Sequence, residues 1–130
     1  MFFKKSSPVQ PMGKEHLNEV VRLIEEHDED DAEAALKTYE REGFDNQYVL
    51  IQEKAVLGVS GYRPADNTEG AFWLSWTYID TENQHQGFGV QLVKAVIQRC
   101  HKNKARKLFV AASDYRDEEG NELYARAHRF

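Results

Sequence analysis

The sequence predicts a mixed α/β (α+β) domain in which a central mixed sheet is flanked by helices. Three observations predict it. Runs rich in β-formers alternate with stretches whose apolar residues recur at helical spacing. Phe72 to Ile79 is almost continuously bulky, which suits a central strand covered on both faces. After that run come a glycine-containing turn, an amphipathic segment and a further apolar run from Lys107 to Ala112, at the distance a βαβ crossover requires.

The elements follow in order. Val9 to Met12 reads as a short first strand, held to a sheet edge by Pro8 and Pro11. Leu17, Val20, Val21 and Ile24 recur at i, i+3, i+4 and i+7, which predicts a helix from Lys14 to Glu26. Ala32, Ala35, Leu36 and Tyr39 repeat the spacing after the acids Asp28 to Asp31, whose charge favours a helix start, and Gly43 ends that helix. Tyr48 to Ile51 and Val56 to Tyr62 predict a hairpin, with Gly58 and Gly61 weakening or bending its second strand. The stretch from Pro64 to Gly70 is a loop by composition. Val90, Val93, Val96, Ile97 and Cys100 line one face of a helix from Val90 to Cys100. A last helix starts near Asn121, with Leu123, Ala127 and Phe130 as its stripe.

The stretch Gln84, His85, Gln86, Gly87, Phe88, Gly89 sits between the central strand and the Val90 helix. Backbone N–H groups at a helix N-terminus lack intrahelical partners and carry the positive end of the dipole. Glycines there let an anion approach the backbone, so the stretch reads as a pyrophosphate cradle. The plainer reading is an ordinary strand-to-helix turn.

From Trp73 to Phe130 the chain resembles the GNAT superfamily of acetyl-CoA-dependent N-acetyltransferases. Gln84-x-x-Gly87-x-Gly89 matches that family's pyrophosphate loop, "WTYID" stands in the place of its fourth strand, and "VQLVKAVIQRC" in the place of its third helix. The resemblance implies acetyl-CoA as donor, held by Gln84, His85, Gln86, Gly87, Phe88 and Gly89. It also implies that backbone N–H groups of the Tyr78 and Ile79 segment polarise the thioester carbonyl. The family often places a glutamate base on the fourth strand, where this chain has Trp73, which cannot accept a proton. Asp114 is the acid to test instead, against its plainer reading as a turn residue after a strand. Tyr78 and Trp76 either flank the acceptor or belong to the core.

The resemblance also bears on the chain's end. In one register Ala127 and Phe130 fit the family's Asn-x-x-Ala-x-x-Phe-Tyr helix, and the tyrosine general acid would be the next residue. In the other, Tyr124 is that tyrosine and His128-Arg129-Phe130 stands for a Gly-Phe ending. The first implies a fold lacking the family's last two strands, an exposed edge on the fifth strand, and self-association as a homodimer.

Composition excludes other classes. The 130 residues make one domain, 1–130, able to bury a single core. The lone cysteine, Cys100, excludes an intramolecular disulfide framework and falls on a helix's apolar side, and no Cys/His cluster has zinc spacing. A net charge of −5 disfavours a nucleic-acid surface. The basic cluster His101, Lys102, Lys104, Arg106 and Lys107 reads as a solvated helix end, or as help in holding an anion. No long apolar run suggests a leader or a membrane span, which makes the cytoplasm the expected compartment. The acids between Glu25 and Glu33 are a solvated face, or suit a cationic acceptor. Two functions remain: acetyl transfer to the amine of a small molecule, and a non-catalytic CoA-binding or dimerisation module of the same shape.

Overall fold

The computed structural model describes residues 8–65 and 69–110, together with the backbone of 128 and 129. Strand β1 (Val9–Pro11) pairs antiparallel with β2 (Gln47–Gln52), Val9 opposite Leu50, so the proline-flanked run is the edge strand its composition predicts. Lys14–His16 forms a 3₁₀ turn and only then does helix α1 (Leu17–Glu25) begin. The predicted helix thus loses its first turn, where the Gly13 N–H is taken by His16 Nδ1 at 2.9 Å. Helix α2 (Glu29–Glu42) starts where Asp28 accepts from the Asp31 N–H at 3.0 Å. It stops at Gly43, whose φ of 80° is a left-handed value.

β2 turns into β3 (Ala55–Pro64) through Glu53 and Lys54, both at positive φ, the geometry of a two-residue hairpin loop. β3 is one ten-residue strand, and its glycines do not break it. The single strand predicted from Phe72 to Ile79 is instead two, β4 (Ala71–Leu74) and β5 (Tyr78–Ile79). Helix α3 (Phe88–Lys102) is longer at both ends than predicted, and β6 (Lys107–Phe109) runs parallel to β4, completing the expected crossover. A two-residue β7 (His128–Arg129) lies antiparallel on the outer edge of β6. His128 and Arg129 are therefore extended where the last helix was predicted, and the edge of β6 is not open beside Lys107 and Leu108. The start of that helix, from Asn121, lies outside the described residues.

Among the described residues the sheet order is β1-β2-β3-β4-β6-β7, with β5 pairing β3. Helices α1 and α2 cover one face with Val20, Leu23, Ile24, Ala32, Ala35 and Tyr39 against Val49 and Val59. α3 covers the other with Leu92, Val96 and Cys100 against Leu50, Leu57, Tyr62 and Leu108. Adjacent residues Val49 and Leu50 serve opposite cores, as strand alternation requires. The α3 stripe differs from the predicted one: Leu92 is fully buried and Val90 is 60% exposed. Two residues of helix are about 200° of rotation, so a face centred on Leu92, Val96 and Cys100 turns Val90 away. Burial pushes the Cys100 thiol up to about 11, in keeping with its reading as core.

Tyr39 is 1% exposed, its ring 6.0 Å from both Phe44 and Trp76, yet its hydroxyl has no hydrogen-bond partner among the described residues. Burial pushes the phenol up to about 12, with the Arg63 charge pulling the other way. Tyr39→Phe is therefore expected to stabilise the fold by about 1 kcal/mol in urea denaturation at pH 7, because it removes a desolvated hydroxyl that gains nothing. The folded-state value lies above the ordinary 10.0. The wild-type contribution is thus present below pH 10 and lost as pH rises toward 12, and the advantage of the phenylalanine variant should widen over that interval.

Candidate active site

The site begins where β4 and β5 part. On β3, Val59 to Tyr62 is three steps; opposite, Tyr78 to Leu74 is four. One extra residue therefore bulges out between Leu74 and Tyr78. Polar side chains stitch the bulge. The Thr77 hydroxyl donates to the Ser75 carbonyl at 2.9 Å and so accepts from Ser60 Oγ at 2.7 Å. The Ser75 N–H donates to the Gly61 carbonyl at 2.8 Å, and buried Gln47 donates from Nε2 to Ser75 Oγ at 3.1 Å.

Beyond the bulge the sheet splays. β6 follows β4, while β5 stays on β3 with no strand on its other side among the described residues. The Asp80 N–H donates to the Leu57 carbonyl at 2.8 Å, so that peptide faces β3. Alternation then turns the N–H and C=O of Ile79 to the open side and those of Tyr78 toward β3. Of the two residues predicted to present a polarising N–H, Ile79 has the geometry for it.

Next comes the predicted cradle. Asp80 caps a 3₁₀ turn (Thr81–Asn83), bonding the Glu82 N–H at 3.3 Å and Asn83 Nδ2 at 2.9 Å. Gln84, His85 and Gln86 are exposed, His85 at positive φ, and Gly87 is the N-cap of α3 at φ 82°. The first intrahelical bond runs from the Gln91 N–H to the Gly87 carbonyl at 3.0 Å. It leaves the N–H groups of Phe88, Gly89 and Val90 ahead of it in the first turn, with no side-chain cap. A Cβ at Gly87 would meet nothing within 4 Å, so the space in front of the turn is open to an anion. Gly89 is helical rather than part of the loop, and a Cβ there would make ordinary contact with Ile79 at 3.6 Å. Phe88 packs against the α3 core.

Between splay and helix lies a cleft of about 230 Å³. His27, Thr77, Tyr78 and Ile79 form one wall, and Asn83, Gln84, His85, Gly89 and Val93 the other. Five of the residues singled out in the sequence meet there: Tyr78, Ile79, Gln84, His85 and Gly89. Gln86, Gly87 and Phe88 border it without lining it, and Asp114 lies outside the described residues. Trp76 belongs to the core, packed on Tyr39 and beneath the Arg63 guanidinium at 5.5 Å, whereas Trp73 is 45% exposed against Phe109. The basic cluster is at the opposite end of the fifteen-residue α3, about 20 Å from Gly87, too far to hold an anion in the cradle.

His27 and Asp31 carry weight that the sequence reading missed. His27 Nε2 reaches the Ile79 carbonyl at 2.7 Å, its ring stacks on Tyr78 at 5.0 Å, and the Tyr78 hydroxyl donates to Asp31. Several acids of the predicted acidic face have partners within the fold. Asp28 caps α2, Asp31 holds Tyr78, Glu26 accepts from Thr81 at 3.3 Å, and Glu33 pairs with Lys37 at 3.0 Å.

The outward-turned edge of Ile79 and the uncapped first turn of α3 thus lie at one cleft. The chain matches the Acetyltransferase (GNAT) family over residues 14–130 and belongs to it. That family uses acetyl-CoA as its acetyl donor. Among solved structures, a GNAT family acetyltransferase from Brucella melitensis in complex with acetyl-CoA is 15% identical, with a TM-score of 0.75 over 94% of this chain and 86% of that one. A GNAT protein from Desulfovibrio desulfuricans is 20% identical, with a TM-score of 0.67 over 78% and 70% of the two chains. A ribosomal-protein-alanine N-acetyltransferase from Brucella melitensis is 19% identical, with a TM-score of 0.62 over 78% and 72%. At these identities the likeness is one of fold. No curated protein sequence matches the chain. Among the described residues no helix is long and apolar enough to cross a membrane, and no group of side chains could hold a metal ion.

Proposed function

We propose that this chain is an acetyl-CoA-dependent N-acetyltransferase acting on the amine of a small molecule, as a single cytoplasmic domain. One observation carries the reading: the open edge of Ile79 and the uncapped first turn of α3 face the same cleft. The N–H groups of Phe88, Gly89 and Val90 would hold the pyrophosphate, with Gly87 letting it approach. The Ile79 N–H would hold the thioester carbonyl, where a backbone donor stabilises charge as it develops. Gln84 and His85 flank the path between the two. When bound, acetyl-CoA supplies an activated acetyl group whose thiol departs as a weak base.

A second reading keeps the cleft without the chemistry, and Trp73 favours it, since no proton acceptor stands where the family often has one. The two readings separate in one series. Calorimetric titration should show saturable acetyl-CoA binding in the micromolar range, and thiol release should follow on adding a panel of small amines, polyamines and aminoglycosides included. Binding with no thiol release from any amine would leave the non-catalytic module as the better reading.

A further inference from the structure

Proton removal is the step that no described residue above has been given, Asp114 lying outside them. An alkylamine with a pKa of about 10.4 is mostly protonated at neutral pH, so acetyl transfer needs a proton acceptor beside the thioester. His27 stands there. It leaves the turn after α1, and Nε2 meets the carbonyl of a residue 52 positions away at 2.7 Å. A carbonyl only accepts, so Nε2 carries the hydrogen and, in the neutral ring, Nδ1 keeps its lone pair. No described residue bonds Nδ1. The ring is held in place: it stacks on Tyr78 at 5.0 Å and 26°, the Tyr78 hydroxyl donates to Asp31, and the Asp31 N–H donates to Asp28 Oδ1 at 3.0 Å. The residue whose carbonyl fixes the tautomer is the one whose N–H faces the cleft, and both groups lie on the same open strand edge.

We propose that His27 is the general base of the reaction, with Asp31 and Tyr78 as positioning residues; the assignment rests on the acetyltransferase reading. His27 Nδ1 first takes the ammonium proton and releases it to solvent; the nitrogen of the now neutral amine then bonds to the acetyl carbon as a second N–H proton passes to His27 Nδ1. The C–S bond then breaks, the sulfur keeps the electron pair and takes the proton from Nδ1, and amide and free thiol leave with His27 neutral again. Of the titratable groups on the neighbouring elements, Tyr78 on β5 stacks on the ring, Asp31 on α2 bonds that tyrosine, and His85 on the loop before α3 lines the same cleft.

His27→Gln tests this, because the glutamine amide can still donate to the Ile79 carbonyl but cannot take a proton. With spermidine and propylamine as probes, the variant should bind acetyl-CoA within about twofold of wild type. It should release thiol about 100-fold more slowly, the loss falling on kcat rather than KM and shrinking at high pH, where the amine deprotonates unaided. In the ¹⁵N-histidine-labelled wild type, His27 should show the Nε2–H tautomer when neutral, and saturating acetyl-CoA should shift its Nδ1 resonance. A variant with the wild-type rate and pH profile, an Nδ1–H tautomer, or an Nδ1 resonance that acetyl-CoA leaves unmoved would each overturn the assignment and leave the acetyltransferase reading standing. A wild-type chain that releases no thiol with any amine would overturn both.

Discussion

Gly87→Glu is expected to weaken acetyl-CoA binding by a few hundredfold in calorimetric titration, while the chain stays folded. Gly87 is at φ 82°, where an L-residue costs about 1–2 kcal/mol, and its missing Cβ faces space with no atom within 4 Å. A side chain there therefore meets no wall; the core is untouched and the loss of fold stability should stay near the backbone cost. The carboxylate, however, lies in front of the first turn of α3. It competes with the pyrophosphate for the N–H groups of Phe88, Gly89 and Val90 and repels it. Losing one or two charge-assisted hydrogen bonds, at about 1.5–3 kcal/mol each, is enough for the expected effect. Gly87→Ala separates strain from charge: it should lower stability similarly but cost less than about tenfold in affinity. Binding by the glutamate variant within threefold of wild type would remove the pyrophosphate from this loop.

Gly87 could be singled out in the sequence because the requirement it meets is local. A strand, a turn with a left-handed residue and an amphipathic helix are neighbours in the chain, and the parallel pairing of β4 with β6 follows from the crossover between them. What the sequence hid depends on partners far apart. The break between β4 and β5 is set by Ser60 against Thr77 and by Gln47 against Ser75, contacts 17 and 28 residues apart that no periodicity displays. Alternation turns one of Tyr78 and Ile79 outward in any case, but which one depends on the phase that the bulge and the Asp80 N–H to Leu57 carbonyl bond set, and here it is Ile79. His27 was hidden in the same way, as one histidine among acids whose partner is a backbone carbonyl on another element. The α3 stripe went astray for a simpler reason. Val90 and Leu92 are both apolar, and only the packed sheet decides which faces inward. The likeness to solved GNAT structures, at 20% identity or less for those compared, says nothing of these side chains.

Gly61 shows how a residue that reads as a weakness can be a packing requirement. Its strand is unbroken and its φ calls for no glycine, yet a Cβ there would lie 2.5 Å from the Asn46 carbonyl and would clash with Gln47 Oε1. Neither neighbour can yield easily. The Asn46 carbonyl accepts from the Tyr62 N–H at 3.0 Å and so helps fix the register of β2 on β3. The Gln47 side chain is buried and donates to the Tyr62 carbonyl at 3.3 Å as well as to Ser75. Gly61→Ala is therefore expected to cost about 3 kcal/mol in urea denaturation, through overpacking and strained or broken buried hydrogen bonds. An ordinary glycine-to-alanine change in a strand would be neutral or favourable, because alanine fits a strand interior better. The damage should also reach the site, because the Gly61 carbonyl holds the Ser75 N–H at the start of the bulge. Acetyl-CoA affinity should fall along with stability, whereas Gly58→Ala, whose closest clash is with the flexible tip of Ile79 at 2.6 Å, should be milder in stability. A Gly61→Ala chain as stable as wild type would mean that β2 and β3 can separate locally without cost, and that the bulge is not held from this side.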